Sequence, residues 1–553
     1  MRILLALLAL VFAGAAPALE TARALADAGA PQLALARVER LQPSDNQAER
    51  WGDWEELRLR LLTALARHAD ALQRAAALSP GLPRPALRRC LLAAARAAIA
   101  GGQGAAARGY AARMLWTLEP TPDEVREVRL LVIESHLADR QGAHAFHAML
   151  RYDQDHRPLD RGVAHRFVEQ LLELGLDHEA VNWLSALDDQ GALKLHLHLR
   201  AGLIEPKAAV ADARARLNKA EDARYWAVLG EAAEKLGDGA LHVEALERLL
   251  QGHAAGRPQP QAAAALWRAY SRAAEAAANE ARLLAGEDAA WLDLAARQLD
   301  ARAPRARALY AHLGHHAAAP AVRVRALSRL VELLERDRLP VAALHLFGHD
   351  RAPETLDTAA RHRLGELAET HSAPALAVRF WQGLAAPAGT LAEEWPLRVA
   401  AALWRSGMRE RALDTARAAL KQTSALPEPA VSRAMTLARD IAIAGSPDSA
   451  EQVYAALLPG AGGARGRDIL MALGGLAESR GRYAAAADYF LRAALANGPQ
   501  SADALALNAR AAAAVNLARA GHLEDARAQY EWLLARSKDP AQLETARRAL
   551  ARP

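Results

Sequence analysis

Histidine is the only potential metal-ligating residue type that clusters in this sequence of 553 residues. The clusters are His312 with His315 and His316, His196 with His198, and His144 with His147. On a helix, His312 and His316 would share a face, and imidazoles four residues apart can bind zinc. No acidic third ligand accompanies them in a motif such as H-E-x-x-H. We therefore expect solvent-facing or interfacial histidines and no metal site.

Motifs typical of a catalytic centre are absent from the sequence. Gly460, Gly462 and Gly463 lie in a link without a preceding strand or a Lys-Ser/Thr pair, so they do not form a phosphate-binding loop. There is no G-x-S-x-G motif, and Cys90, the only cysteine, lies in the predicted helix from Leu87 to Ala100, where we interpret it as a core residue. Charged helix faces do not raise a carboxyl pKa as a catalytic acid requires. We predict no enzymatic activity and no cofactor.

The composition favours helices throughout the chain. Alanine supplies 139 residues, and leucine, arginine and glutamate are also abundant, which together are strong helix formers. No alternating run of β-branched and aromatic residues is long enough to build a sheet. The net charge is only +5, and arginines alternate with acidic residues along most helices. This pattern indicates solvated helix faces and disfavours nucleic acid as a partner.

The first residues resemble a secretory signal peptide. Met1 and Arg2 precede an apolar run from Ile3 to Ala16, and small residues lead to a predicted cleavage point after Ala15 or Ala18. No cysteine follows for lipid attachment, so we expect a periplasmic protein without a transmembrane span after cleavage. The alternative is an uncleaved membrane anchor that extends to Leu19.

An internal repeat is clearest in the last third of the chain. Gly407, Gly445, Gly481 and Gly521 are separated by 38, 36 and 40 residues. Positions five, nine and twelve residues after each glycine are mostly small or aromatic: Ala412, Ala450, Ala486 and Ala526; Ala416, Tyr454, Phe490 and Tyr530; Ala419, Leu457, Ala493 and Leu533. These offsets share one helical face, so each glycine is predicted to end one helix and each small residue to let the next helix pack closely.

These residues resemble the tetratricopeptide repeat family. The best segment runs from Arg467 to Pro499 and contains Leu473, Gly474, Gly481, Tyr483, Ala486, Phe490 and Ala493. Similar units contain Trp226, Leu229, Gly230 and Gly237, with His242 in place of the small alanine; Gly175, Ala180, Leu184 and Leu187; and Gly29, Ala34, Val38, Leu41 and Pro43. Between these units the repeat decays, as at Leu364, Gly365, Ala377, Trp381 and Leu384. The resemblance therefore reaches both ends of the chain.

The resemblance implies an all-α fold, a right-handed superhelical solenoid of antiparallel helix hairpins. A single hairpin buries too little apolar surface to be stable alone, so neighbouring hairpins must stack. We predict a signal peptide at 1–18, divergent repeats at 19–390, and clearer repeats with a C-terminal capping helix at 391–553.

The resemblance also implies a binding groove along the first helices of the hairpins. The residues that it places there are Trp404, Arg405, Met435, Arg439, Met471, Glu478, Ser479, Asn508 and Arg519. Such a groove suits a peptide, a partner helix or a polymer. The alternative is that these residues are ordinary helix surface or contacts between repeats. The Lys and Asn pattern with which some family members bind a peptide carboxylate is not visible.

The resulting functional hypothesis is a periplasmic protein-interaction scaffold of the bacterial cell envelope, as in an exopolysaccharide export or envelope assembly complex. Its expected partners are other envelope proteins, with a polysaccharide as a further candidate ligand. One alternative is a regulator of peptidoglycan synthesis. A second, from a different class, is a cell-wall enzyme similar to lytic transglycosylases. Against it, the repeat continues through Gly521 and Ala526 to Pro540, which leaves no room for that family's C-terminal catalytic domain.

Overall fold

The computed structural model describes residues 18–45, 50–188, 191–218, 223–299, 303–348, 353–421, 426–461 and 463–551. Within these residues the chain forms 30 α-helices and no β-strand, which confirms the predicted all-α class. The predicted signal peptide lies outside the described residues except for Ala18. None of the described helices combines the length and apolar character that crossing a bilayer requires.

The chain divides into two compact units, residues 1–228 and 229–553. This division concerns compactness, whereas the predicted change near residue 390 concerns how closely the repeats follow their pattern. The first unit contains α1 (Ala18–Asp27), α2 (Pro31–Leu41), α3 (Trp51–Ala64), α4 (His68–Ala76), α5 (Arg84–Ala100), α6 (Gly104–Thr117), α7 (Pro122–Ala138), α8 (Gly142–Asp155), α9 (Arg161–Glu173), α10 (Asp177–Ala180), α11 (Ala192–Arg200) and α12 (Pro206–Leu217).

The division falls within α13 (Arg224–Leu236). The second unit continues with α14 (Gly239–Gln251), α15 (Pro260–Glu280), α16 (Asp288–Arg297), α17 (Ala303–His316), α18 (Pro320–Arg336), α19 (Pro340–Gly348), α20 (Thr358–Thr370), α21 (Pro374–Trp381), α22 (Trp395–Arg405), α23 (Arg409–Lys421), α24 (Glu428–Ile443), α25 (Pro447–Leu457), α26 (Gly463–Ser479), α27 (Tyr483–Leu495), α28 (Ala504–Arg519), α29 (Leu523–Arg536) and α30 (Pro540–Leu550). Short 3₁₀ turns occupy Val181–Ala186, Pro353–Thr355 and Leu458–Gly460.

Prolines mark where several helices begin. Pro85, Pro260 and Pro429 each lie in the first turn of a helix, in α5, α15 and α24. Proline fits there because the first backbone N–H groups of a helix have no partner within the helix.

The turn that joins the two helices of a regular hairpin contains a residue with positive φ. Gly407, Gly445, Gly481 and Gly521 have φ between 70° and 88°, as the repeat predicts. The alanines five residues later are at most 2% exposed, and the aromatic and apolar residues that follow on the same face are buried. The predicted hairpins of the last third are thus confirmed. In the first hairpin of the chain, which matches the repeat less closely, Leu41 is instead 38% exposed, because α2 ends at that residue.

Close packing inside these hairpins depends on a glycine in the first helix opposite an aromatic ring in the second. A Cβ atom built on Gly474 would lie 2.6 Å from the ring of Phe490, and one built on Gly365 would lie 2.0 Å from Trp381. Any side chain at either position would separate the two helices or displace a buried ring. The Leu-Gly pairs that carry the resemblance are therefore explained by helix contact.

The middle of the second unit is held together differently. Glu247 on α14 and Arg307 on α17 are buried and form two hydrogen bonds, from Arg307 Nε at 2.7 Å and from Arg307 Nη2 at 2.5 Å. Tyr270 on α15 donates its hydroxyl to Glu247 at 2.7 Å, and Arg307 also bonds Asp337. Gln251 accepts from the backbone N–H of Val341 and of Ala342, at the start of α19, at 2.9 and 3.2 Å. These contacts join helices that are far apart in the sequence.

Candidate functional site

The turn residues with positive φ provide a reference point from which positions on the first helix of each regular hairpin can be counted. In the first unit, α1, α3 and α5 are followed by Gly29, Ala66 and Gly102, whose φ angles are 81°, 57° and 69°. Residues at the same distance before each turn therefore occupy equivalent places on their helices. This register can be used to compare the predicted groove positions with one another.

Two of the predicted groove residues are buried. Trp404 is 7% exposed and Met435 is 8% exposed, and both belong to the hydrophobic core of the second unit. Both side chains pack among other core residues, which favours the alternative of contacts between repeats, and ligand contact by these two residues stays a prediction.

Three further predicted residues, Arg405, Glu478 and Arg519, form ion pairs between successive hairpins. Arg405 on α22 contacts Glu369 on α20 at 2.6 Å, and Glu478 on α26 contacts Arg519 on α28 at 2.8 Å. Burial raises the pKa of the Glu369 carboxyl, but Arg405 and Arg398 outweigh this effect and hold it below its usual value. In this region the charges on the first helices stabilise the stacking of hairpins.

The four remaining predicted residues are at least partly accessible. Arg439 is exposed on α24, and Met471 is half-buried beside the core. Ser479 is exposed, and its hydroxyl donates to the carbonyl of Leu476. Asn508 is exposed and accepts a hydrogen bond from Gln542 at 2.6 Å. The cavity described at the C-terminal end of the second unit, between α28, α29 and α30, is lined by none of these four.

A cavity that the sequence did not predict lies along the first helices of the N-terminal unit. It has a volume of about 670 Å³ and is open to solvent. Residues from α1, α3 and α5 line it, together with Gly29 and Pro31 at the first turn. α3 packs against both α1 and α5, so the cavity spans three successive hairpins. Its lining residues are Arg23, Ala26, Asp27, Gly29, Pro31, Leu57, Arg60, Leu61, Thr63, Ala64, Ala93 and Arg96.

Each of the three helices contributes one arginine to this cavity from the same register. Arg23, Arg60 and Arg96 each lie six residues before the turn residue of their hairpin. In the C-terminal hairpins that register holds one arginine, Arg439, and otherwise Ala401, Gly475 and Val515. The cavity arginines can thus be found in the sequence by counting six residues back from each turn residue. A search for turn glycines alone misses this spacing, because the turn after α3 contains Ala66 in place of glycine.

The floor of the cavity is aliphatic and its charges are predominantly positive. Leu57, Leu61 and the alanines among the lining residues supply apolar surface, while Asp27 is the one acidic residue in the described part of the lining. Arg60 is the most accessible of the three arginines, with 57% of its side chain exposed. A concave apolar surface with a few polar groups at its edge is the usual form of a ligand site.

The predicted histidine cluster packs against tryptophan rings. His312 stacks on Trp291 with ring centroids 4.4 Å apart, and His315 contacts Trp267 edge to face at 4.7 Å. Burial and the neighbouring His316 lower the pKa of His312. Among the described residues, no group of three His, Cys, Asp or Glu side chains is arranged to hold a metal ion. The histidines of this cluster therefore contribute to helix packing.

Cys90 is a core residue, as predicted. It is fully buried on α5, with its Sγ 3.5 Å from the carbonyl oxygen of Gly52 on α3. Burial raises the pKa of the thiol to about 12. The neutral thiol is a poor nucleophile, so we interpret Cys90 as a packing residue.

No protein-family model matches this chain, and no curated protein matches it. Solved structures that resemble it are helical-repeat assemblies of low sequence identity. The Cut9–Hcn1 hetero-tetramer of the APC/C has 11% identity and a TM-score of 0.29, covering 96% of this chain and 95% of that one. Naa15/Naa10 bound to HypK has 14% identity and a TM-score of 0.27, covering 96% of each chain.

The pentatricopeptide repeat protein PPR10 in complex with an 18-nt psaJ RNA element has 12% identity and a TM-score of 0.32, covering 97% of this chain and 83% of that one. The maize PPR10 structure has 15% identity and a TM-score of 0.28, covering 95% of this chain and 74% of that one. TM-scores this low do not establish a shared arrangement. The assignment as a helical-repeat protein rests on the hairpins themselves.

Proposed function

We propose that this chain is an exported, non-enzymatic scaffold of the bacterial cell envelope, located in the periplasm, that binds a segment of a partner protein. The binding site in this proposal is the cavity along α1, α3 and α5. The observation that carries the proposal is that three successive hairpins supply equivalent residues to one open cavity with an apolar floor. Stacked hairpins supply such a surface without any need for catalytic groups.

The cellular part of the proposal rests on the signal-like sequence from Met1 to Ala18. Fusing the chain to alkaline phosphatase, which is active only after export, tests it. We expect phosphatase activity in cells, and loss of that activity when Ile3–Ala16 is deleted. Absence of phosphatase activity in cells that contain the full-length fusion would contradict the periplasmic assignment.

The binding part is tested with a photo-crosslinking amino acid placed in the cavity of the full chain. Ala64 is exposed at the cavity, and Ala105 is an equally small, exposed residue on α6 that does not line it. In intact cells we expect a discrete crosslinked protein from position 64 and none of the same mass from position 105. Equal patterns from the two positions would remove the cavity from the proposal.

The identity of the crosslinked protein also distinguishes between the alternative functions. Recovery of a peptidoglycan synthase would favour a regulator of cell-wall synthesis, and recovery of an export pore would favour an exopolysaccharide or envelope assembly complex. A muramidase assay on the purified chain addresses the enzymatic alternative. We expect no turnover of peptidoglycan, and release of soluble fragments above a buffer control would overturn the non-enzymatic assignment.

A further inference from the structure

The cavity arginines are only weakly neutralised by the protein itself. Arg60 pairs with Glu56 on its own helix at 3.7 Å, and Glu56 also pairs with Arg89 at 3.6 Å. Arg23 contacts Glu20 at 3.4 Å, but Glu20 makes its shorter contact, at 2.8 Å, with Arg50. Exposed pairs of this kind contribute about 0–1 kcal/mol. A carboxylate from a ligand can therefore replace them at little cost.

Arg96 differs from the other two because it bonds Glu127 on α7. It still lines the cavity, and half of its side chain is exposed. With three arginines against the single carboxylate of Asp27, the lining carries an excess of positive charge. Guanidinium groups bind carboxylates through paired, charge-assisted hydrogen bonds.

We infer that this cavity binds an acidic segment of a partner protein, in an extended conformation, with its carboxylates on Arg23 and Arg60 and its apolar side chains on the aliphatic floor. This inference rests on the proposed function and specifies the chemistry of the partner. The two parts of the ligand correspond to the two parts of the lining: positive charge from the arginines, and apolar surface from Leu57, Leu61 and the neighbouring alanines.

The lining favours a protein segment over an acidic polysaccharide. A polysaccharide carries carboxylates too, but hydroxyl groups surround the edge of each of its rings. Buried against aliphatic side chains, those hydroxyl groups would lose hydrogen bonds to water without gaining others. None of the described lining residues is aromatic, so there is no flat ring on which a sugar could stack. Leucine or alanine side chains of a peptide suit this floor better.

The repeat spacing predicts the spacing of acidic residues in the ligand. Neighbouring packed helices lie about 8–10 Å apart, and an extended chain advances about 3.3 Å per residue. An acidic residue at every third position would thus meet arginines from successive hairpins.

The acidic stretch should also be short. The next two hairpins of the unit carry Glu134 and Glu169 at the register of the cavity arginines, six residues before the turn residues Arg140 and Gly175. A carboxylate in the ligand would be repelled there, since like charges in such a surface oppose binding. The positive part of the register ends at α5.

The experiment uses the purified full chain and fluorescein-labelled nonapeptides in fluorescence anisotropy. The first peptide repeats Leu-Ala-Glu three times, the second replaces glutamate by glutamine, and the third has the composition of the first with its three glutamates adjacent. Oligogalacturonate serves as the polysaccharide competitor. We expect the first peptide to bind at least about tenfold more tightly than the glutamine peptide and more tightly than the peptide with adjacent glutamates.

Three variants locate the binding. Arg60→Glu should weaken binding of the first peptide at least about tenfold, and Ala64→Trp, which fills the cavity without changing charge, should weaken it by a similar factor. The matched control is Arg492→Glu on α27, because Arg492 is half exposed and its carboxylate partner Asp488 is 3.5 Å away on the same helix. This control should leave binding within about twofold. Helical circular dichroism confirms that each variant is folded.

The outcomes separate this inference from the proposed function. Equal binding of the glutamate and glutamine peptides, unchanged binding by Arg60→Glu, or tighter binding of oligogalacturonate than of every peptide would overturn the acidic-segment inference. If the partner crosslinked at position 64 in cells is still captured after Arg60→Glu, the scaffold proposal stands and only the acidic-segment inference fails. If position 64 captures no partner, the proposed function itself fails.

Discussion

The regular hairpins from α22 to α29 and the middle region from α14 to α19 solve the same packing problem in different ways. The regular hairpins bring neighbouring helices together through glycines and alanines, as at Gly474 against Phe490. The middle region instead buries an ion pair between Glu247 and Arg307, which are 60 residues apart. Close contact in the first case is local and repeats along the chain, whereas in the second it joins two particular residues that are distant in the sequence.

This difference teaches that the decay of the repeat pattern is not a loss of structure. Where the fixed spacing of the repeat is lost, buried polar groups that satisfy one another help to specify which helices meet. Such groups tolerate substitution less well, because loss of one partner leaves the other charge buried. The two regions should therefore respond very differently to single substitutions.

The largest expected effect comes from Glu247→Gln in the middle region. The substitution leaves Arg307 buried with only Asp337 as a charged partner, and the free energy of unfolding should fall by about 3–5 kcal/mol. Urea unfolding followed by circular dichroism measures it. Glu244→Gln on the same helix, at a half-buried position, is the control and should change stability by less than about 0.5 kcal/mol. Similar losses for both variants would remove the distinction between the two regions.

The next effect compares two adjacent glycines of α26. Gly474→Ala places a methyl group 2.6 Å from the ring of Phe490 and should destabilise the chain by about 1–3 kcal/mol. Gly475→Ala meets no atom within 4 Å and should stabilise it by about 0.5–1 kcal/mol, because alanine is the better helix former. The midpoint of thermal unfolding of each variant checks the opposite signs. Two changes of the same sign would refute the role assigned to Gly474.

A smaller, pH-dependent effect is expected from Asp503→Asn at the start of α28. Hydrogen bonds from Arg467 hold the pKa of the Asp503 carboxyl well below its usual value, and Asp503 also accepts from the backbone N–H of Ala506. A lowered pKa in the folded state stabilises the protein above the unfolded pKa of about 3.9 and ceases to do so as the pH falls. The variant should lose about 1 kcal/mol at pH 7, and its difference from the parent should narrow progressively as the pH falls below 4 toward the lowered pKa of Asp503.

That comparison uses asparagine because it has the shape of aspartate and still caps a helix. Chemical unfolding of both proteins at pH 7 and pH 3 gives the difference at each pH. A gap that stays constant across this range would show that the charge on Asp503 does not contribute.

The smallest effect is expected at the exposed ion pair between Glu478 and Arg519. A double-mutant cycle with Glu478→Gln and Arg519→Gln should give a coupling energy of about 0.2–1 kcal/mol, because both side chains remain accessible to water. Raising the salt concentration should reduce it further. A coupling as large as the loss in Glu247→Gln would mean that the surface pairs, and not the small residues, hold the regular hairpins together.

The regular hairpins could be predicted from the sequence because their determinants are local. The turn glycine, the alanine five residues later and the aromatic after it lie within one turn and one helix, so a fixed spacing reveals them. The network around Glu247 has no such spacing. Its partners Tyr270 and Arg307 lie 23 and 60 residues away, and they become neighbours only when α14, α15 and α17 pack.

The sequence predicts a groove on the first helices of the C-terminal hairpins, whereas the described cavity lies along the first helices of the N-terminal ones. Counting residues from the turns identifies equivalent positions on the first helices. It gives no information on whether a charged side chain at such a position already forms an ion pair within the protein. Arg405 meets Glu369, a residue 36 positions earlier, whereas Arg60 finds only a distant carboxylate on its own helix. The burial of Trp404 likewise depends on neighbouring helices that the pattern does not reveal.

The buried cysteine on α5 gives the chain a practical advantage for experiments. Cys90 is the only cysteine in the sequence, and with a pKa of about 12 it is almost entirely unreactive toward maleimides at neutral pH. A thiol introduced at the surface would therefore be the sole labelling position of the native protein. Spectroscopic probes attached beside α3 could then report ligand occupancy directly, with the natural core left intact.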